Sequence, residues 1–528
     1  MIKFALIPMF LFPFAGTTGI TAATNVYYSV GQNTDDHSSG GEVSIISGMA
    51  TFTVPQTATN LGVGDKLTAG GNIYYIASKI STSQWNVVTN LGAVPSDLTS
   101  TAVTSIAHEY LHLQDALKGA TDSNHINSKN LITAGVTLNI PCYYDSGPDT
   151  KTVAISTPAC TTGANNYLNI YTPYNTATEV NQRQRHNGTA ASGYTLMCTQ
   201  NYTYAVAFSL DNPGAYMKLI GLIITADGIH MVTGGLWTSC NAEIAYNIVH
   251  GINKDWVYKG IDVGSNNTTP PNFPAPIVHN NICYENGYCG IQVGDYALYA
   301  KVYNNTCVNN MRYGIDVTNQ PMGFLKNNLS CNNGIADYKA VTPGEGGTFR
   351  SFDYNASSDS TANGWTGTGN RINQTFTFVD YNGKDFHLAS TDMGAKDHGV
   401  SDPGLGAFSE DIDEQACPYG SAWDMGADEY STGETGVYDF KLAPLANPSL
   451  NSFTASQFGI RYSLYRSANV NLAAYDITGK RICTLEDSYQ EAGPHDVKWN
   501  ATGLATGVYF AKIKAEGLNI SRKILILR

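Results

Sequence analysis

Between about residues 219 and 340 the chain repeats itself with a step in the low twenties. "IVHNNICYENGYCGIQVGD" (277–295) is followed by "AKVYNNTCVNNMRYGIDVTN" (300–319) and "FLKNNLSCNNGIADY" (324–338). Asn-Asn pairs end at Asn281, Asn305 and Asn328, steps of 24 and 23 residues, and Gly-Ile pairs begin at Gly228, Gly260, Gly290, Gly314 and Gly334. One such unit cannot bury its own apolar residues, so units must stack and share a continuous core. Short alternating segments at this period predict the rungs of a parallel β-solenoid, with Ile291, Val293, Ile315 and Val317 facing inward and Cys283 and Cys307 inward on a neighbouring face. The asparagines are expected at turns, where Asn tolerates left-handed backbone and its amide can hydrogen-bond along the stack. No Leu-x-x-Leu-x-Leu framework supports a leucine-rich solenoid, and the step is about half that of a WD-type propeller blade.

Composition agrees with a turn-rich β protein: 52 Gly and 33 Tyr against 14% charged residues. The net charge of −13 argues against nucleic acid as a partner, which calls for a basic footprint. Residues 437–528 hold 11 Lys/Arg against 7 Asp/Glu, a local +4 that leaves −17 for the remainder. At the N-terminus, Lys3, the apolar run Phe4–Ala15 and the small residues Thr21-Ala22-Ala23 read as an export signal over 1–23. That run is too short for a membrane anchor, and no later stretch is long and apolar enough to cross as a helix. Ten cysteines in an exported chain permit disulfides, yet no CxxC pair occurs. Cys142 and Cys160 could be bridged or could be two buried thiols.

"SIAHEYLHLQDAL" (105–117) contains His-Glu-x-x-His, the helix signature of zinc peptidases. Read as a helix over 104–118, it carries Ile106, Tyr110, Leu113 and Leu117 on one apolar stripe and His108, His112 and Asp115 on the polar side. Asp115 and Lys118 stand where the extended metalloprotease motif needs Gly and His, and the next glutamate after Glu109 is Glu179. His125 and Asp122 follow at no recognised ligand spacing. The expectation is a short amphipathic helix capping the solenoid, with both histidines in solvent and no zinc; a zinc metallopeptidase is the third-ranked reading. Asp35 and Asp36 in "NTDDHSSG" (33–40) leave calcium as an open cofactor, without the spaced carboxylates of a loop site.

The last ninety residues alternate apolar and polar, with turns at Thr478-Gly479, Gly493-Pro494, Thr506-Gly507 and Glu516-Gly517, and predict a small β-sandwich after a linker, together 431–528. Their "YDITGK…GVYFAKI…KILILR" closely resembles the type A C-terminal sorting domain of type IX secretion, itself similar to immunoglobulin-like domains. "LAPLANPSL" (442–450) replaces the Pro-Asn-Pro entry common in that family. The resemblance implies passage through the outer membrane, the type IX machinery as partner, and a secreted or cell-surface location.

The body, 24–430, resembles the right-handed parallel β-helix repeats of the pectate-lyase-like superfamily, and more closely a group of exported bacterial β-helix proteins. "NVYYSVGQNTDDHSSGG" (25–41), "SGPDTKTVAI" with "NNYLNIYTP", "DFHLASTDMGAKDHGV" (385–400) and "WDMGADEY" (423–430) carry that likeness. The expected fold is therefore all-β, a right-handed parallel β-helix followed by an Ig-like sandwich, in a monomer. The resemblance implies a polysaccharide in a groove along the solenoid, bound and, in an enzyme, cleaved by a lyase or hydrolase. A non-catalytic adhesin or structural surface protein is the alternative. The polygalacturonase-like set of Asn-Thr-Asp, Asp-Asp, His-Gly and Arg-Ile-Lys is not found, nor are the pectate-lyase-like Trp-Ile-Asp-His and Arg-x-Pro-x-x-Arg patterns.

The candidate site follows from the repeat. Two residues past the glycines of the Gly-Ile pairs stand His230, Asp262, Gln292 and Asp316, expected as one outward polar row because strand side chains alternate. Asp262, Asp316, His230 and Lys259 are the catalytic candidates, with Lys259 as base if calcium acidifies a uronate. Gln292 and Asp295 are the substrate-binding candidates. An ordinary polar outer face competes with this reading. "NQRQRHNG" (181–188) gathers Arg183, Arg185 and His186, a clamp for a sugar carboxylate or a solvated turn.

Overall fold

Three parallel sheets form the body. The computed structural model describes residues 23–526 apart from single positions and short internal segments, the longest of which are 265–274, 340–350 and 445–456; the signal-peptide reading of 1–23 therefore lies almost wholly outside the described residues. The first sheet has ten strands and the other two have seven each. One turn runs from Tyr216–Ile220 in the first sheet to Ile223–Ala226 in the second and Gly234–Thr238 in the third, then returns to the first at Asn241–Ala245. About six such turns make a parallel β-solenoid. Ile261, Ile291 and Ile315 stack in register and are fully buried, and Cys283 and Cys307 join the same core.

The asparagine pairs divide two tasks between them. The first member takes the left-handed turn: Asn280, Asn304 and Asn327 have φ of 52°, 47° and 56°. The second builds a buried ladder along the solenoid, each amide Nδ2 donating to the next Oδ1, from Asn247 to Asn281 (3.0 Å), Asn305 (2.9 Å), Asn328 (3.0 Å) and Asn355 (2.9 Å). Asn286, Asn310 and Asn333 form a second ladder at the next bend. The glycines of the repeat make room for it: a Cβ on Gly260 would lie 2.8 Å from Asn286 Nδ2. The ladder amides thereby satisfy one another along the stack, as buried polar groups require.

The solenoid is interrupted early by a unit that the repeat does not announce. Strands Glu42–Ile46, Met49–Phe52, Lys66–Ala69, Asn72–Ser81, Gln84–Val88 and Leu98–Ala107 close into an antiparallel barrel. It has its own core, including Val43, Ile45, Leu67, Ile76, Trp85 and Ile106. It is inserted between first-sheet strands Thr24–Tyr27 and Val136–Tyr143, which pair with each other in parallel. The expected helix over 104–118 is corrected accordingly. Residues 98–107, "LTSTAVTSIA", are a barrel strand, and the helix is only Leu113–Gly119. Leu113 and Leu117 do pack on the end of the solenoid core, whereas Ile106 belongs to the barrel.

A strap, residues 376–430, runs along the outside of the second sheet. Phe378, Phe386, Leu388, Ile412 and Met425 bury its outer residues Ile248, Ile282, Val308 and Leu329. The left-handed asparagines hold it: Asn280, Asn304 and Asn327 donate to the carbonyls of Glu410, Asp424 and Val400. All ten cysteines are unbridged, and Cys142 and Cys160 are two buried thiols. The C-terminal unit sets a three-stranded antiparallel sheet against a four-stranded one, with Ile460, Tyr462, Leu472, Trp499 and Ile513 in a common core.

Candidate functional site

The third sheet carries the expected row, with different ends. Register places Trp237, Asp262, Gln292, Asp316 and Lys339 side by side on consecutive rungs. His230 is not among them. Gly228 adopts a φ of 74° in a turn, Ile229 is 84% exposed rather than inward, and His230 Nδ1 bonds Asp227 Oδ2 at 2.5 Å. Gly235-Leu236, not Gly228-Ile229, aligns with Gly260-Ile261, so Trp237 takes the position. At the other end Gly334-Ile335 also falls outside the strand, and Lys339 follows Asp316. Asp295 lies outside the described residues.

The row is charge-paired and mostly covered. Asp262 and Asp316 are 6% and 0% exposed. Lys259 Nζ holds Asp262 Oδ2 at 2.8 Å, and Tyr204 donates its hydroxyl to the same oxygen. Asp316 Oδ2 accepts from Gln292 Nε2 (3.1 Å) and Lys339 Nζ (3.2 Å), while its Oδ1 is buried and accepts nothing. Half-buried rings line the row: Tyr204 lies 6.2 Å from Trp237, and Tyr288 meets Tyr313 edge-on at 5.5 Å with Lys339 over both. Rings interleaved with acid, amide and ammonium groups can stack on a ligand and hydrogen-bond it at once.

Elsewhere, among the described residues, two His–carboxylate clusters are close enough to hold a metal ion. The first corrects the expectation that His108 faces solvent. Leaving the barrel strand, His108 turns into the junction between barrel and solenoid, where it is 1% exposed. Its Nδ1 meets Asp65 Oδ1 at 2.6 Å, its Nε2 lies 3.4 Å from Asp145 Oδ1, and Tyr143 stacks on the ring at 4.6 Å. His37 Nε2 takes the other Asp65 oxygen at 3.2 Å. Burial disfavours the imidazolium, but Asp65 and Asp145 outweigh it and raise His108 to about 9. Burial likewise opposes ionised Asp65, and the two histidines hold it well below the carboxylate range. His112 bonds Asp149 instead, whose second oxygen caps the helix at Leu113 N. The two histidines of the motif thus share no helix face, and the zinc-peptidase geometry is not formed.

The second cluster has no counterpart in the sequence reading. Asp385, His387, Asp413, Gln415, Asp428 and Glu429, all from the strap, line a cavity of about 580 Å³. Burial pushes the carboxyls of Asp411, Asp428 and Glu429 up, reinforced by their acidic neighbours. "DIDEQ" (411–415) and "DMGADE" (424–429) were the available signal, two acidic runs whose convergence only the strap's path reveals. The Arg183–His186 segment braces this region: Arg183 and Arg185 both bind Glu414, and Arg185 and His186 are buried, so neither a solvated turn nor a free sugar clamp describes it.

Residues 447–527 match the family described as a secretion system C-terminal sorting domain. Neither a curated protein nor a solved structure matches the chain. The tail marks the protein for export by the type IX route and attachment at the cell surface, engaging that secretion machinery. Among the described residues, no helix is long and apolar enough to cross a membrane.

Proposed function

We propose that this exported solenoid binds a polysaccharide along its third sheet, without cleaving it. The observation that carries the reading is the registered row Trp237, Asp262, Gln292, Asp316 and Lys339 with its flanking tyrosines. Rungs lie about 4.8 Å apart, so the five positions span roughly 19 Å, the length of several sugar residues. Lysines at both ends of the acidic pair suit an acidic glycan. Lys259 favours binding over catalysis: an ammonium already engaged by Asp262 at 2.8 Å is poorly placed to abstract a proton. Asp262 and Asp316 stand two rungs apart, about 10 Å, at the far limit for a pair of hydrolytic carboxylates.

Purified protein applied to a panel of acidic and neutral polysaccharides, with and without calcium, should retain an acidic one and release nothing. Lys259→Gln with Lys339→Gln, which removes the two ammonium groups that would meet an acidic glycan, should weaken retention at least tenfold. Ultraviolet-absorbing unsaturated products would make the protein a lyase, new reducing ends a hydrolase. Either would replace the binding reading, and undiminished retention by the double variant would move the site off this sheet.

A further inference from the structure

The strap carries an arrangement that the polysaccharide reading does not use. His387, Asp413 and Asp428 each present a ligand atom within 4.8 Å of the others. Asp385 Oδ1 bonds His387 Nδ1 at 2.5 Å, which leaves Nε2 as the ring atom turned towards Asp413, 3.6 Å away. That is too long for a hydrogen bond. His387 Nε2, Asp413 Oδ1 and Gln415 Oε1 are all buried without a hydrogen-bond partner, and all three residues line the one cavity. Native proteins leave few such atoms, and three in one place call for a missing partner.

The geometry points to a divalent transition-metal site of the zinc class, held by His387 Nε2, Asp413 and Asp428. A carboxylate that fixes the far nitrogen of a ligating histidine is the usual outer support of such sites, and Asp385 supplies it. A nitrogen ligand disfavours calcium and magnesium, which take oxygen. Three protein ligands leave a position open to the cavity. Gly188, at a φ of 81°, lets the backbone lie against the ring, since a Cβ there would sit 2.2 Å from Nε2. The ion would tie strand Asp385–Leu388 to the two acidic runs and lock the strap.

The cluster at His108 does not compete on equal terms. There both nitrogens of His108 and both oxygens of Asp65 already have partners.

Untagged full-length protein, stripped with chelator and dialysed against Zn2+ in excess Ca2+, should take up about one equivalent of zinc and melt at a higher temperature. His387→Ala and the near-isosteric Asp413→Asn should each weaken uptake at least tenfold, and Asp385→Asn should weaken it roughly 10–100-fold. His37→Ala should leave it unchanged. Circular dichroism of the stripped variants shows whether they fold; if His387→Ala does not, Asp413→Asn decides. No stoichiometric zinc in the parent, uptake intact in Asp413→Asn, or uptake lost in His37→Ala would overturn the site.

Discussion

The two His–carboxylate clusters use the same residue types to opposite ends. At the barrel junction, His37, Asp65, His108 and Asp145 consume one another's hydrogen-bonding capacity inside the protein. On the strap, His387, Asp413 and Gln415 keep buried atoms with no partner and face a cavity. A polar cluster closed on itself holds a fold together, and one left open is poised for something the chain does not contain. Composition does not separate the two cases; the path of the chain does.

The largest expected effect is on the closed cluster. His108→Ala leaves Asp65 buried beside an empty space, a loss of roughly 3–5 kcal/mol for a broken buried pair, read from chemical denaturation. If the variant were as stable as the parent, the cluster would not be what joins barrel to solenoid.

The pH dependence comes next. His108 stands at about 9 against an ordinary 6.5, so its contribution is full below pH 6.5 and lost as pH rises through 9. Asp65 is depressed, so its contribution is present at neutral pH and lost only in acid, below the ordinary carboxylate range. Melting followed between pH 6 and 10 should fall on the alkaline side, by up to about 3 kcal/mol of stability for His108 alone, and His108→Ala should reduce that fall. The remainder comes from His387, where burial disfavours the charge but Asp385, Asp428 and Asp413 outweigh it and raise the ring to about 9. A parent whose stability is level across the range would contradict the assignment.

The smallest effect sharpens the contrast. In metal-free protein His387→Ala should cost less than His108→Ala, because its ring is 17% exposed and Asp385, its hydrogen-bond partner, is 28% exposed and can turn to water. A loss as large as that of His108→Ala would make both clusters structural.

The solenoid was legible because its period is written in residues that the geometry needs one by one: a left-handed Asn, a ladder Asn, a Gly beneath it and an Ile inside. The sorting tail was legible through the resemblance of "YDITGK…GVYFAKI…KILILR" to a known family. The barrel was not, since six strands of ordinary alternation carry no period, and its last strand resembled a helix once His108 and His112 were read four residues apart. The polar row was half legible. Asp262, Gln292 and Asp316 fall in register, but insertions shift the flanking rungs, so Gly228 and Gly334 mark turns and the row ends in Trp237 and Lys339. The strap's cluster was not legible at all, because 28 residues separate Asp385 from Asp413 and only the long pass over the second sheet brings them together.

The third sheet is the proposed binding face. Amide hydrogen exchange of the full-length protein, with and without a saturating amount of a retained polysaccharide, tests it most directly. Added protection should concentrate in Gly234–Thr238, Lys259–Val263, Cys289–Val293 and Tyr313–Val317. Protection confined to the barrel, the strap or the first sheet would contradict it.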